Sequence, residues 1–252
     1  MDKRKIFMVD DDEMILEYLI AALDVAGYAP VAASTATEAL SKLKTSGDAF
    51  PVILSDITMP GIDGLELLKI LKKEYPETMV IMLTGNTTMD TAIQALNEGA
   101  FAFLTKPVNI GELKSTIKNA FERYDLSQEN KRLAEELDKA KDSLENVVQN
   151  LVHVVIATDT AGIIKKTNKA VESFLGYAEQ ELTGKEIGTV FSDEFKGKAF
   201  NELANAGHAK DFPVVFVSKG RKAINVLFNG AVMKDKDGQT VGLMGSAQIK
   251  SK

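Results

Sequence analysis

The chain has 252 residues, 45% hydrophobic and 26% charged, a composition ordinary for globular domains and long enough for one to two cores. Its formal net charge of −6 argues against non-specific nucleic-acid binding by the whole chain, which needs a basic footprint. The absence of cysteine removes disulfides, thiolate metal sites and cysteine nucleophiles, and no apolar run approaches the ~20 residues of a membrane span.

The apolar run before Asp10, Ile6 to Val9, is four residues long, too few for a signal-peptide core, so the expectation is a cytoplasmic protein with no membrane insertion. Residues 1–124 then alternate the apolar runs "KIFMV", "YAPVAA", "VILS", "MVIMLT" and "FAFLT" with helix-period segments. These segments are "EMILEYLIAALDVAG", "TATEALSKLKTSG", "GLELLKILKKEYP", "TMDTAIQALNEG" and "NIGELKSTIKNAFERY". Strands that are apolar throughout, each followed by a helix, predict an α/β doubly wound five-stranded parallel sheet covered on both faces. Gly27, Gly47 and Gly99 fall where helix ends favour a left-handed residue.

In such sheets a site forms outside the carboxyl ends of the strands. Asp10, Asp11 and Asp12 follow the first strand and Asp56 the third; Thr84 ends the fourth, and Lys106 and Pro107 follow the fifth. Each alone reads as a solvated loop residue, but together they converge on one edge. Adjacent carboxylates about 4 Å apart repel by roughly 1 kcal/mol in water and about 4 kcal/mol near a protein surface. Clustered carboxylates without histidine or cysteine suit a hard divalent cation such as Mg²⁺. One carboxylate could then attack phosphorus and form an acyl phosphate. Lysine and threonine would bind the transferred oxygens. Asp12, directly before the first helix, is placed to cap it.

The acid pair, the block "SDITMPGIDG", the threonine and the "KP" resemble the receiver domain of bacterial two-component response regulators. That resemblance implies Asp56 as phospho-acceptor and Asp10 with Asp11 as the acidic pair that holds Mg²⁺. Asp11, Asp56 and the backbone carbonyl of Thr58 would be direct ligands, with Asp10 acting through water. Thr84 and Phe103 match the family's switch pair, and Lys106 the phosphoryl-contacting lysine, whose bond to Pro107 is usually cis. Thr58 and Asn86 occupy positions that tune phosphoryl lifetime. A haloacid-dehalogenase-type phosphatase also carries D-x-D after its first strand, and Asp10 with Asp12 fits that spacing. Met14 stands where that family expects Thr or Val, and Asp56 would have no use there.

From Leu126 the segment "LSQENKRLAEELDKAKDSLENVVQNL" has no Gly or Pro. Leu126, Asn130, Leu133, Leu137, Ala140, Leu144, Val147 and Leu151 recur in steps of four and three, an a/d heptad pattern predicting a parallel dimeric coiled coil. Asn130 falls at an a position, and Glu136 and Lys141 at g and the following e. A single amphipathic helix lying on its own domains is the alternative. The preceding helix, with Leu113, Ile117, Ala120 and Tyr124, keeps a different phase, so the registers slip around "YDLSQEN", which predicts a hinge or overwound point.

Beyond Leu151, two strands flank the turn "DTAG", a short helix begins near Asn168, and three strands follow with turns at "SKGRK" and "KDKDGQ". The D-x-x-G turn, the "NKA…FLGY…EL.GK" run and the closing D-x-D-G hairpin resemble a PAS domain, an α+β fold. The resemblance implies a sensor or dimerisation module. No photocysteine exists, His208 is expected in a loop after the long helix, and His153 at the start of the first strand is read as structural. An empty, dimerising or partner-binding PAS domain is the expectation, with no assigned ligand. "SDEF" at 192–195 lacks the glycines of a cyclase motif.

The domains are accordingly 1–124, receiver; 125–150, helical coiled-coil linker; and 151–252, PAS, the two folded domains being joined by a long helix. The function expected from both resemblances is a response regulator in a phosphorelay, phosphorylated by a partner histidine kinase or phosphotransfer protein, with no independent enzyme output. The alternatives are the front portion of a larger hybrid histidine kinase or cyclase, and a non-switching dimeric scaffold.

Overall fold

The computed structural model describes residues 3–47, 50–85, 89–192 and 207–249. Asn86 and residues 193–195 of "SDEF" lie outside the described residues. The chain forms two compact units that divide between Glu135 and Glu136.

In the first unit the strands are β1 (Lys5–Val9), β2 (Ala29–Ala33), β3 (Val52–Asp56), β4 (Met79–Thr84) and β5 (Ala102–Thr105). They pair in parallel in the order β2-β1-β3-β4-β5. The helices α1 (Glu13–Val25), α2 (Ala36–Thr45), α3 (Gly64–Glu74) and α4 (Met89–Asn97) connect them, and α5 begins at Ile110. Every residue of β3 is buried. Alternate residues of the central strands feed two cores, one holding Phe7, Val9, Ile53 and Met82 and the other Ile6, Met8, Leu54 and Ile81. Burying each such side chain stabilises by roughly 1.5–3 kcal/mol. Asp12, Thr35 and Asp63 cap α1, α2 and α3 with side-chain oxygens on the helix amides. Gly27, Gly47 and Gly99 have φ of 87°, 62° and 94°, as the helix ends require.

The helix α5 runs unbroken from Ile110 to Gln149. The two helical segments distinguished by their apolar phase are therefore one helix, which passes through "YDLSQEN" without interruption. With no Gly or Pro between Ile110 and Leu126 other than Gly111 in the first turn, nothing local opposes the backbone ladder. Leu151, the last expected heptad position, lies past the helix end.

The second unit is built on β6 (Val154–Thr158), β7 (Ile164–Thr167), β8 (His208–Val217), β9 (Ala223–Lys234) and β10 (Thr240–Ile249), in the antiparallel order β7-β6-β10-β9-β8. Among the described residues between β7 and β8 lie two short α-helices, α6 (Lys169–Leu175) and α7 (Glu179–Leu182). Phe191 fills the interior edge-on to Phe216 and Phe228, at 4.9 and 5.6 Å. Asp159 and Asp235 close the two hairpins, each accepting backbone amides two and four residues ahead. His208 opens β8 rather than lying in a loop. A bulge between Ala209 and Phe212, with Asp211 at φ 49° and its amide donating to Asn229 Oδ1, carries the strand further back than alternation implied. His153 is exposed and immediately precedes β6.

Candidate functional site

The polar residues that end β1, β3, β4 and β5 meet at one edge of the parallel sheet. Asp56 is the last residue of β3, aligned with Leu83, so Thr84 on β4 stands one step beyond it. Asp10 follows Val9, which aligns with Ser55. Lys106 follows β5, and its amide donates to the Thr84 carbonyl at 2.7 Å. The register of a parallel sheet thus places all four without any long-range coincidence.

Lys106 Nζ lies 2.7 Å from Asp10 Oδ2 and 2.9 Å from Asp56 Oδ2, with the three side chains 15%, 1% and 7% exposed. The Lys106–Pro107 bond is cis. Asp10 Oδ1 accepts the Asp12 amide at 3.1 Å. Burial pushes the Asp10 carboxyl up, against the Lys106 hydrogen bond and the Asp12 amide, and the Asp56 charge adds to the rise. Burial alone would lower the Lys106 ammonium. Hydrogen bonds and charges from Asp10 and Asp56 outweigh it, so its pKa ends above the ordinary value.

Asp10, Asp11 and Asp56 each offer a carboxylate oxygen, and these oxygens all lie within 4.8 Å of one another. Asp10 and Asp56 are buried and Asp11 is exposed. Asp56 Oδ1 is buried and accepts no hydrogen bond among the described residues. Asp10 Oδ2 is held by Lys106 at 2.7 Å. Three carboxylates against one ammonium leave an excess of negative charge beside a buried, unpartnered oxygen. An all-oxygen donor set of that charge fits Mg²⁺, which takes one or two carboxylates and keeps waters. Thr58 follows in the loop, exposed.

Asp12 turns away from this cluster: its Oδ1 accepts the amides of Met14 at 2.9 Å and Ile15 at 3.3 Å. Thr84 is buried, and Phe103 on β5 is half-buried against the core formed by Met82 and its neighbours. The structure therefore brings together Asp10, Asp11, Asp56, Thr84 and Lys106, and leaves Asp12 in its capping role.

Gly64 went unrecognised in the sequence. A Cβ there would lie 2.0 Å from the Asp56 carbonyl oxygen, so only glycine lets α3 start against the end of β3. Its amide donates to the Ile57 carbonyl at 2.9 Å, and Ser55 Oγ donates to the Asp56 carbonyl at 3.0 Å. The available signal was a glycine as the first residue of a helix, where it is intrinsically unfavourable.

A family model described as response regulator receiver domain matches residues 6–118, and one described as PAS domain matches residues 151–247. Among curated relatives, the DNA-binding transcriptional regulator NtrC of Proteus hauseri is 33% identical over 187 residues, 74% of this chain and 37% of that protein. The C4-dicarboxylate transport transcriptional regulatory protein DctD of Rhizobium meliloti (strain 1021) is 33% identical over 147 residues, 58% of this chain and 32% of that protein. The chain thus spans about a third of the length of these curated relatives. Among solved structures, one titled as adenylate cyclase from Rhodopirellula baltica is 33% identical with a TM-score of 0.50, covering 53% of this chain and 98% of that chain. No helix among the described residues is long and apolar enough to cross a membrane.

Proposed function

Because residues 6–118 are a response regulator receiver domain followed by a PAS domain at 151–247, we propose that the chain is a two-component response regulator that accepts a phosphoryl group on Asp56. The observation that carries this reading is the buried Asp56 carboxylate. One oxygen is held by Lys106, and the other is buried without a hydrogen bond among the described residues. The donor is a phospho-histidine of a kinase or phosphotransfer protein. As an Asp56 oxygen forms its bond to phosphorus, the phosphorus–nitrogen bond breaks, and a donor ring protonated on its other nitrogen leaves as neutral imidazole, keeping that proton. Lys106 stays within reach of the oxygens of the transferred group, and the Thr84 hydroxyl is the second donor to them. Asp10, Asp11, Asp56 and the Thr58 carbonyl would hold Mg²⁺, which when bound offsets the charge of the carboxylates and of the incoming phosphate.

The output is geometric. Leu126, Leu133, Leu137, Leu144 and Val147 on α5 are 49–72% exposed in the single chain. They form the stripe a parallel coiled-coil homodimer would bury, with Asn130 fixing register and Glu136 facing Lys141 of a second copy. The PAS domain adds an interaction module with no assigned ligand, and no enzymatic output beyond phosphoryl turnover on Asp56 is proposed. Incubation with acetyl phosphate and Mg²⁺ tests the chemistry: wild type should acquire acid-labile phosphate and Asp56→Asn none. Equal labelling of both, or of neither, would leave a non-switching scaffold as the better reading.

A further inference from the structure

The far end of the first unit holds a second set of contacts that the phosphoryl chemistry does not use. Phe121 of α5 is buried and stacks on Tyr28, with centroids 5.6 Å apart and planes at 7°. The Arg4 guanidinium lies 4.8 Å above the Phe121 ring and donates to Asp125 Oδ2 at 2.8 Å. Ser127 Oγ donates to Glu77 Oε2 at 2.8 Å. Arg4 immediately precedes β1 and Glu77 comes two residues before β4. These are the two strands whose other ends carry Asp10 with Asp11 and Thr84. The same helix α5 starts at Ile110, four residues after Lys106.

Asp125 and Ser127 flank Leu126, where the apolar phase changes. Up to Tyr124 the helix buries Leu113, Ile117, Ala120 and Phe121 against the receiver; from Leu126 onward the stripe is exposed. An unbroken helix carries the phase of its anchored turns forward, but an exposed helix also bends and twists, and contacts placed where burial ends limit that motion. Exposed ion pairs are individually weak. Here the arginine is also held over a buried aromatic ring, and a second bond comes from a different strand.

We propose that Arg4 and Glu77 grip Asp125 and Ser127 as a shoulder clamp that fixes the rotational phase of α5 from Leu126 onward and passes a change at the Asp56 site into that phase. The second half of this statement rests on the phospho-accepting function proposed above; the grip itself does not. "YDLSQEN" is then a held shoulder and not a free hinge.

The cysteine-free chain allows a clean test. Spin labels on Ser41→Cys and Leu133→Cys in the full chain, diluted with unlabelled chain, report the distance between α2 and the coil within one copy. The wild-type distribution should be narrow and should shift when beryllofluoride and Mg²⁺ bind. Arg4→Ala with Ser127→Ala should lose the narrow distribution and the shift, while beryllofluoride affinity and the thermal melt stay unchanged. Arg4→Lys, which keeps a cation beside the Phe121 ring and Asp125, should keep a narrower distribution than the double alanine variant. A double alanine variant as narrow as wild type, or a wild type that binds beryllofluoride without any shift, overturns the proposal. The unliganded width tests the grip even without beryllofluoride binding, and failure to bind counts against the phospho-accepting reading alone.

Discussion

Asp12 Oδ1 accepts two amides of the first turn of α1, Asp10 splits its oxygens between the Asp12 amide and Lys106, and Asp11 projects an exposed carboxylate toward the other two acids. Three identical side chains in sequence are thereby given separate tasks by where the strand ends and the helix starts. The consequences differ in kind. Asp12→Ala should destabilise the fold by about 1 kcal/mol through loss of the cap, with Mg²⁺ affinity unchanged. Asp11→Ala should weaken Mg²⁺ binding by more than about tenfold, since even outer-shell partners cost that much. It should leave metal-free stability the same or higher, because it removes a like charge. Denaturant midpoints measured with and without Mg²⁺, beside calorimetric titration, separate the two; equal Mg²⁺ affinity for Asp11→Ala and wild type would contradict the ligand assignment.

At the scale of elements, α5 is the unusual one. Its first turns are anchored by Leu113, Ile117, Ala120 and Phe121, all buried, and its middle presents leucines to solvent. Leu137 is 72% exposed and Leu144 is 66% exposed, so most of each side chain faces solvent among the described residues. A stripe of that regularity contributes little to a monomer and several kcal/mol to a two-stranded coil, at roughly 25 cal/mol per Å² removed from water. Leu137→Asp together with Leu144→Asp should therefore convert a dimer into a monomer in sedimentation, without altering acyl phosphate formation on Asp56. A wild type whose mass is monomeric at every concentration would remove the coiled coil from the account.

Across the whole molecule, what was legible in the sequence follows from which forces act locally. Strands buried on both faces must be apolar along their length, so "VILS" and "MVIMLT" declared themselves, and a polar residue at the end of each could only lie at the sheet edge. Asp10, Asp56, Thr84 and Lys106 were found that way. The long helix joining the domains was legible because "LSQENKRLAEELDKAKDSLENVVQNL" has no Gly or Pro, whereas the change of apolar phase around "YDLSQEN" leaves the backbone ladder of α5 unbroken. Arg4 and Asp125 meet across 121 positions and Ser127 and Glu77 across 50, so no local pattern could reveal the clamp. Gly64 was passed over because a glycine's reason is the atom it approaches, here the Asp56 carbonyl, and that atom is identified only by the fold. The start of β8 was hidden by the bulge at Asp211, which breaks the alternation a strand is recognised by.

The central claim is that one carboxylate, Asp56, takes the phosphoryl group. Borohydride reduces an acyl phosphate on aspartate to homoserine, and cleavage after Lys44 and Lys69 releases residues 45–69, which also contain Asp48 and Asp63 as internal controls. Sequencing that peptide by mass spectrometry after treatment with acetyl phosphate, Mg²⁺ and borohydride should find homoserine at position 56 alone. Homoserine at position 48 or 63, or an unmodified Asp56 in chain that carries acid-labile phosphate, would contradict it.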